Sequence, residues 1–495
     1  MLYFKAMKLY LIDHNYLYAT EQMLLTLFPD ERPEYPEGKP EGDRAEIQLF
    51  EGAKRYTAVS RIVLGGKIYS GRAASPKSLI SDELSKARVL QRILKLSFYR
   101  AALSFGLSKP AWGALTGVRP GKILLNFLQS GMSDNAALSK FRRDYDVSRE
   151  RAELCLHTAR AALDCFSKLK NNDVCLYIGI PFCPTRCAYC SFVSQSVEKS
   201  MALIPKYLSA LYREMEATAV VLNELGLRVV SVYLGGGTPT TLSAIQLDEL
   251  FSRLERYFDL SAAAEITVEA GRPETITREK LYALKRHGVT RLSVNPQSMD
   301  ERVLKAIGRK HSPEDILAAM ALLREIGDFQ VNMDLIAGLP SDSPEGFKNT
   351  LNAVLSLQPE NITIHTLALK KGSGIMLADT ARPSPEEVAD MIGYANTGLY
   401  SSGYLPYYLY RQKYMAAGFE NVGWQRGSTQ NIYNICIMEE LCSIISMGGG
   451  ASTKLCLGGG RIEHIYDPKY PAEYIERIDK IINDKQKIKE YYNVI

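Results

Sequence analysis

Histidine is scarce in this chain, six in 495 residues, and none lies beside the cysteines at the centre of the sequence. That scarcity removes the usual nitrogen partner of a mixed cysteine and histidine zinc site. Long apolar runs are missing too. Lys5, Lys8, Asp13 and Glu21 interrupt the apolar start of the chain, and no stretch supplies the roughly 18 uncharged apolar residues of a membrane span, so neither a span nor a signal peptide is expected. Charge of one sign is also lacking. Sixty basic and 55 acidic residues leave a formal +5, too small and too dispersed to argue for nucleic-acid binding. Nine cysteines without the spacing of a disulfide framework indicate a reducing compartment, the cytoplasm, where thiols stay available as metal ligands. With 46% hydrophobic and 23% charged residues, the composition is that of a soluble enzyme of about two to four domains.

What is present is concentrated in residues 174 to 193, Val-Cys-Leu-Tyr-Ile-Gly-Ile-Pro-Phe-Cys-Pro-Thr-Arg-Cys-Ala-Tyr-Cys-Ser-Phe-Val. An apolar run opens there into a loop carrying Cys183, Cys187 and Cys190. Thiolates are soft ligands suited to iron–sulfur clusters or zinc, and a loop can wrap them around one centre. Four iron corners facing three cysteines leave one iron open to a substrate or cofactor, whereas structural zinc normally takes four protein ligands. Cys175, on the preceding strand, reads as an ordinary core thiol.

Residues 1 to 170 are expected to form an α+β domain of unknown role. Gly65-Gly66 is a candidate hairpin turn, Pro29 to Asp43 a polar loop, and Ser81 to Phe105 a long amphipathic helix with Leu84, Val89, Leu90, Ile93, Leu94 and Leu96 at helical spacing. Arg119 and Lys122 sit in a turn before further helix and read as structural. From residue 171 to about 375, apolar runs at 174–180, 229–234, 265–269, 291–295, 330–336 and 361–367 alternate with amphipathic stretches, the pattern of an α/β fold with a parallel sheet and right-handed crossovers. Residues 376 to 495 are expected to form a mixed C-terminal domain able to cover the site.

Candidate binding residues fall at the ends of these strands, where ligands gather in parallel α/β folds. Gly235-Gly236-Gly237-Thr238-Pro239 ends the second strand, and glycine lets a ligand approach the backbone closely. Glu269 ends the third and can accept hydrogen bonds from hydroxyl or amino groups. Gly448-Gly-Gly-Ala-Ser-Thr-Lys454 lacks the residue order of a nucleotide-binding phosphate loop. Arg411 and Lys413, set among tyrosines, are candidate partners for carboxylates.

The Cys-x-x-x-Cys-x-x-Cys spacing, with aromatic Tyr189 before the last cysteine, resembles the radical S-adenosylmethionine (SAM) superfamily. The surrounding Tyr-Ile-Gly-Ile-Pro-Phe-Cys resembles the anaerobic coproporphyrinogen III oxidase family, and within it the HemZ type, over roughly residues 112 to 454. The resemblance implies a partial (β/α)6 barrel and two cofactors, a 4Fe-4S cluster on Cys183, Cys187 and Cys190 and SAM on its open iron. It implies SAM contacts at Tyr177, Tyr189, Gly236, Gly237, Thr238, Glu269, Gln297, Arg309, Asp334 and Ala368, and no catalytic residue beyond the cluster and SAM ligands. It further implies that a 5′-deoxyadenosyl radical drives oxygen-independent oxidative decarboxylation of coproporphyrinogen III to protoporphyrinogen IX in heme biosynthesis, with a flavodoxin or ferredoxin as electron donor and the substrate propionates near Arg411 and Lys413.

Two features depart from the family pattern. The oxidase proper carries another cysteine where this chain has Phe192. Heme chaperones of the same family carry His-Asn-x-x-Tyr late in the catalytic module, whereas here His14-Asn-Tyr-Leu-Tyr18 fits those letters far upstream. A heme-binding chaperone, a radical SAM enzyme for another substrate and a zinc scaffold are therefore the alternatives.

Overall fold

Two units build up separately along the chain, Met1–Leu156 and His157–Ile495. The computed structural model describes residues 7–28, 31–190, 195–196, 200–368, 381–412, 418–456 and 462–493. The division falls inside helix Arg149–Lys168 rather than at the expected residue 170. No breaker interrupts that helix, and its last turns belong to the second unit, within which the His157 ring lies 5.9 Å from Tyr400.

In the first unit, strands β1 (Met7–Ile12), β2 (Pro33–Glu34), β3 (Arg44–Glu51), β4 (Arg55–Leu64) and β5 (Lys67–Pro76) form one sheet in the order β2-β1-β3-β4-β5. Gly65 and Gly66 make the expected two-residue turn with φ of 51° and 78°, left-handed values that suit glycine in a hairpin. Helix Glu83–Ser104 starts where Asp82 caps the backbone N–H of Ser85 at 2.7 Å. It packs so closely on β5 that a Cβ at Gly71 would stand 2.1 Å from the Ser97 carbonyl oxygen. Leu90, Ile93 and Leu94 enter the core as expected, but Leu84 is 63% exposed, because it lies in the first turn before the helix reaches the sheet.

The second unit is organised by strands β6 (Asp173–Ile180), β7 (Phe182–Cys183), β8 (Gln195–Ser196), β9 (Arg228–Gly236), β10 (Glu265–Glu269), β11 (Arg291–Ser293), β12 (Gln330–Ala337), β13 (Asn361–Thr366), β14 (Leu405–Tyr410), β15 (Asn421–Gln425), β16 (Ser443–Gly448), β17 (Ser452–Cys456) and β18 (Ile462–Tyr466). The six strands expected from sequence are neighbours in chain order, β6-β9-β10-β11-β12-β13, and all are parallel. Their apolar residues enter the core, and on β12 and β13 polar residues alternate with them at Asn332, Asp334, Thr363 and His365. Ser243, Thr277, Ser312 and Ser343 cap four of the helices that follow the strands, fixing where each loop ends.

Residues after 376, expected as a separate domain, extend this sheet at both sides. β16 pairs in parallel with β6, Ser443 opposite Val174 through Gly448 opposite Gly179, and leads into β17 and β18. β15 and then β14 add antiparallel to β13. Without them β6 and β13 would present unpaired edge amides and carbonyls. Gly448 to Gly450 lie in the turn between antiparallel β16 and β17, not in the strand-to-helix turn a phosphate loop requires. No helix among the described residues is long and apolar enough to cross a membrane.

Candidate active site

The loop after β6 is clamped from three sides. Gly237 N–H donates to Ile180 O at 2.8 Å and Thr238 N–H to Phe182 O at 2.7 Å, which ties the glycine turn to the cysteine loop. A Cβ on Gly237 would sit 2.5 Å from Phe182 O, so the position admits only glycine. Arg272 Nη2 donates to Thr185 O at 2.7 Å and to Cys187 Sγ at 3.1 Å. On the far side Ala188 N–H donates to Ile307 O at 3.0 Å. Thr238 Oγ1 adds a donor 3.5 Å from Cys183 Sγ. Donors aimed at sulfur suit thiolate ligands, whose charge they share.

Cys183, Cys187 and Cys190 open onto one cavity of about 500 Å³. Its wall also holds Tyr177, Tyr189, Gly236, Gly237, Thr238, Glu269, Arg309 and Asp334. Eleven of the fifteen residues expected at the site therefore line this one cavity. Gln297 and Ala368 are not part of this wall. Gln297 is buried with φ of 66°, held by a backbone bond from its N–H to Asp334 O at 2.9 Å. Arg411, at the end of β14, donates through Nη2 to Gly418 O at 3.0 Å and is not on the wall either. Lys413 and Phe192 lie outside the described residues.

The charged side chains of the wall are held in opposite states. Burial pushes the Glu269 carboxyl up to about 7, against the Tyr233 hydroxyl that donates to it at 2.6 Å; the Asp334 charge pushes it further. Burial also raises Asp334, but His365, 3.8 Å away, and Asn332, donating at 2.8 Å, outweigh it and hold Asp334 below the ordinary range. Arg309 bridges Gly271 O at 2.8 Å and Tyr189 OH at 3.0 Å. Tyr189 thereby fixes one end of the cysteine loop, its ring packed beside Ile307, Leu339 and Leu367.

Several wall residues carried no sequence signal of their own. Tyr177, Tyr233 and Tyr433 form a stack, the last two 4.4 Å apart at 22°. Tyr433 is brought there by helix Ile432–Glu439, and Tyr408 and Tyr410 come from β14. Arg272 stands three residues beyond Glu269, in the same strand-end loop.

The residues present fit a cluster and a polar cofactor. Buried Ser293 Oγ, Gln297 Oε1 and Arg309 Nε have no hydrogen-bond partner among the described residues, and buried polar atoms are ordinarily paired. Ser293 and Arg309 line the cavity itself. The three loop sulfurs are not among the thiols that converge within 4.8 Å, the span of a single ion. A cluster of four irons and four sulfides accepts thiolates spaced more widely.

Comparison with known proteins agrees. The family description Radical SAM superfamily matches residues 177–354. The oxygen-independent coproporphyrinogen-III oxidase-like protein HemZ of Bacillus subtilis is 40% identical over 77% of this chain and 77% of its own length. This chain belongs to the HemZ-type family of the radical SAM superfamily. The heme chaperone HemW of Bacillus subtilis is 35% identical over 39% of this chain and half of its own. The solved structure of coproporphyrinogen III oxidase (HemN) from Escherichia coli matches with a TM-score of 0.53 and 26% identity, over 65% of this chain and 72% of that one. The partial-barrel fold expected from sequence is the fold of the family, and the protein is a radical SAM enzyme whose cofactors are a 4Fe-4S cluster and SAM.

Proposed function

We propose that this HemZ-type protein catalyses the oxygen-independent conversion of coproporphyrinogen III to protoporphyrinogen IX, each of two propionates losing a β-hydrogen atom, carbon dioxide and one electron to become a vinyl group. The observation that carries this reading is the continuity of one cavity from Cys183, Cys187 and Cys190, past the Glu269, Arg309 and Asp334 side chains, to a wall of tyrosines. The names of the relatives supply the substrate class.

In this reading Cys183, Cys187 and Cys190 hold the cluster, while Gly236 to Thr238, Glu269, Arg309 and Asp334 hold SAM. The cofactors supply one-electron, hydrogen-abstracting chemistry when bound. The chain places the reacting carbon, and such placement contributes on the order of 7 to 11 kcal/mol to bimolecular reactions. Tyr177, Tyr233 and Tyr433 exclude water, and burial keeps their hydroxyls neutral by raising each of them. A flavodoxin or ferredoxin of the reducing cytoplasm would deliver the electron, in keeping with nine free cysteines.

A heme chaperone is the second reading, favoured by the likeness to HemW. His14 offers it little. Its Nε2 lies 3.1 Å from Ile47 O and its Nδ1 accepts the Tyr16 N–H at 3.2 Å, so both ring nitrogens already serve the local backbone. The deciding experiment is anaerobic reconstitution followed by incubation with SAM and coproporphyrinogen III. Protoporphyrinogen is expected; stoichiometric heme binding with no turnover would replace the oxidase reading by the chaperone one, and SAM cleavage without either would point to another substrate.

A further inference from the structure

Six cysteines lie outside the loop motif; three of them converge at one buried place, and a fourth lies beside them. Cys175 on β6, Cys436 in helix Ile432–Glu439 and Cys442 just before β16 have sulfurs all within 4.8 Å of one another. Cys165, in the last turns of helix Arg149–Lys168, is a side-chain neighbour of Cys436 outside that group of three. Cys175 and Cys436 are fully buried, and Cys165 and Cys442 are each 6% exposed. Cys175 lies one step below Tyr177 on the same face of β6, so the group sits beneath the cavity floor and away from the Cys183 loop.

We propose that Cys165, Cys175, Cys436 and Cys442 form a second metal site, a closed tetrathiolate that binds one zinc ion. The three mutually close sulfurs of Cys175, Cys436 and Cys442 span a single ion, and Cys165, beside Cys436, is the candidate fourth donor. Zinc bonds thiolate sulfur at about 2.3 Å in a tetrahedron, which places neighbouring sulfurs about 3.8 Å apart. Cys175 Sγ and Cys442 Sγ stand 3.7 Å apart, far beyond the roughly 2.05 Å of a disulfide. The donors come from three stretches distant in sequence, Cys165, Cys175 and the pair Cys436 and Cys442, whereas unrelated core thiols have no reason to converge.

The surroundings are compatible with thiolate charge. The nearest carboxylates are already matched: Asp173 accepts from Arg228 at 2.6 and 2.8 Å, and Glu265 lies 3.9 Å from Arg291. Zn²⁺ would displace the four thiol protons to solvent without any change of oxidation state. The filled site would pin helix Ile432–Glu439, and so Tyr433, to β6, β16 and the helix that enters this unit. It stands independently of the oxidase reading.

The test is metal analysis of the full-length chain purified anaerobically, beside two variants. One equivalent of zinc per chain is expected in the wild type, retained in Cys183→Ala/Cys187→Ala/Cys190→Ala while iron falls to background. Cys436→Ser/Cys442→Ser should show the reverse, zinc lost and iron kept. Should that double variant not fold, Co²⁺ added to the triple alanine variant keeps the question open to measurement, since tetrahedral cobalt thiolate gives an intense near-ultraviolet charge-transfer band and visible d–d bands. Absence of both zinc and the cobalt bands, a disulfide among these four cysteines, or zinc that disappears with the loop cysteines overturns the proposal.

Discussion

Glu269 sits where pH should be read most directly. With its carboxyl pushed up to about 7 by burial, it is largely protonated at pH 6 and ionised at pH 8. A ligand whose amino or hydroxyl groups need the carboxylate therefore binds more weakly as pH falls through that value. A single linked proton gives about a tenfold loss of SAM affinity from pH 8 to pH 6, checked by calorimetric titration of the reconstituted protein; Glu269→Gln should flatten the profile. Arg272 makes a second prediction. Losing charge-assisted bonds to Thr185 O and Cys187 Sγ removes roughly 1.5 to 3 kcal/mol, so Arg272→Met should release its cluster to a chelator roughly ten- to a hundredfold more readily, followed by loss of iron absorbance. The two residues also differ in legibility. Glu269 ends an apolar run and announces itself as a strand-end acid, whereas the value of Arg272 depends on a sulfur 85 residues earlier, which no local pattern reveals.

At the scale of elements, the parallel strands were readable because each carries apolar residues packed into the core and such segments recur at regular intervals. The C-terminal strands were not. β16 finds its partner β6 more than 260 residues away, and nothing in its own six residues says which strand it will join. The same holds for helix Ile432–Glu439, which is apolar on more than one side and short. Its position is set by Asn431, whose Oδ1 accepts the Asn434 N–H at 2.8 Å while its Nδ2 donates to buried Thr267 Oγ1 at 2.9 Å. Asn431→Ala removes the cap and strands the threonine hydroxyl, and should destabilise the fold by about 2 to 4 kcal/mol. Chemical denaturation measures that loss. Tyrosine absorbance or fluorescence of the folded variant should also report a disturbed stack at Tyr433.

Over the whole second unit, the end of the chain is joined to the cavity by a buried ion group that lies outside it. Lys485, 1% exposed, places Nζ 2.5 Å from Glu214 Oε1, 3.5 Å from Asp467 Oδ2 and 2.9 Å from Ser446 O. Glu214 in turn accepts the Gly448 N–H at 2.9 Å and the Tyr474 hydroxyl. The turn of Gly448 to Gly450, whose last residue lines the cavity, is thus held by a lysine in the final helices and a glutamate in helix Ile204–Glu224. Lys485→Met leaves Glu214 buried without its cation, a change that typically destabilises by about 3 to 5 kcal/mol. Asp467 softens the effect, because burial already pushes its carboxyl up to about 8 and loss of the lysine favours its neutral form. Lys485→Met/Glu214→Gln should therefore recover much of the stability lost by the single variant, as read from urea midpoints at pH 7. If the network positions the glycine turn, the single variant should also weaken SAM or substrate binding at temperatures where it remains folded, while the iron content stays unchanged. Equal stability of the single variant and the wild type would remove this tie between tail and site.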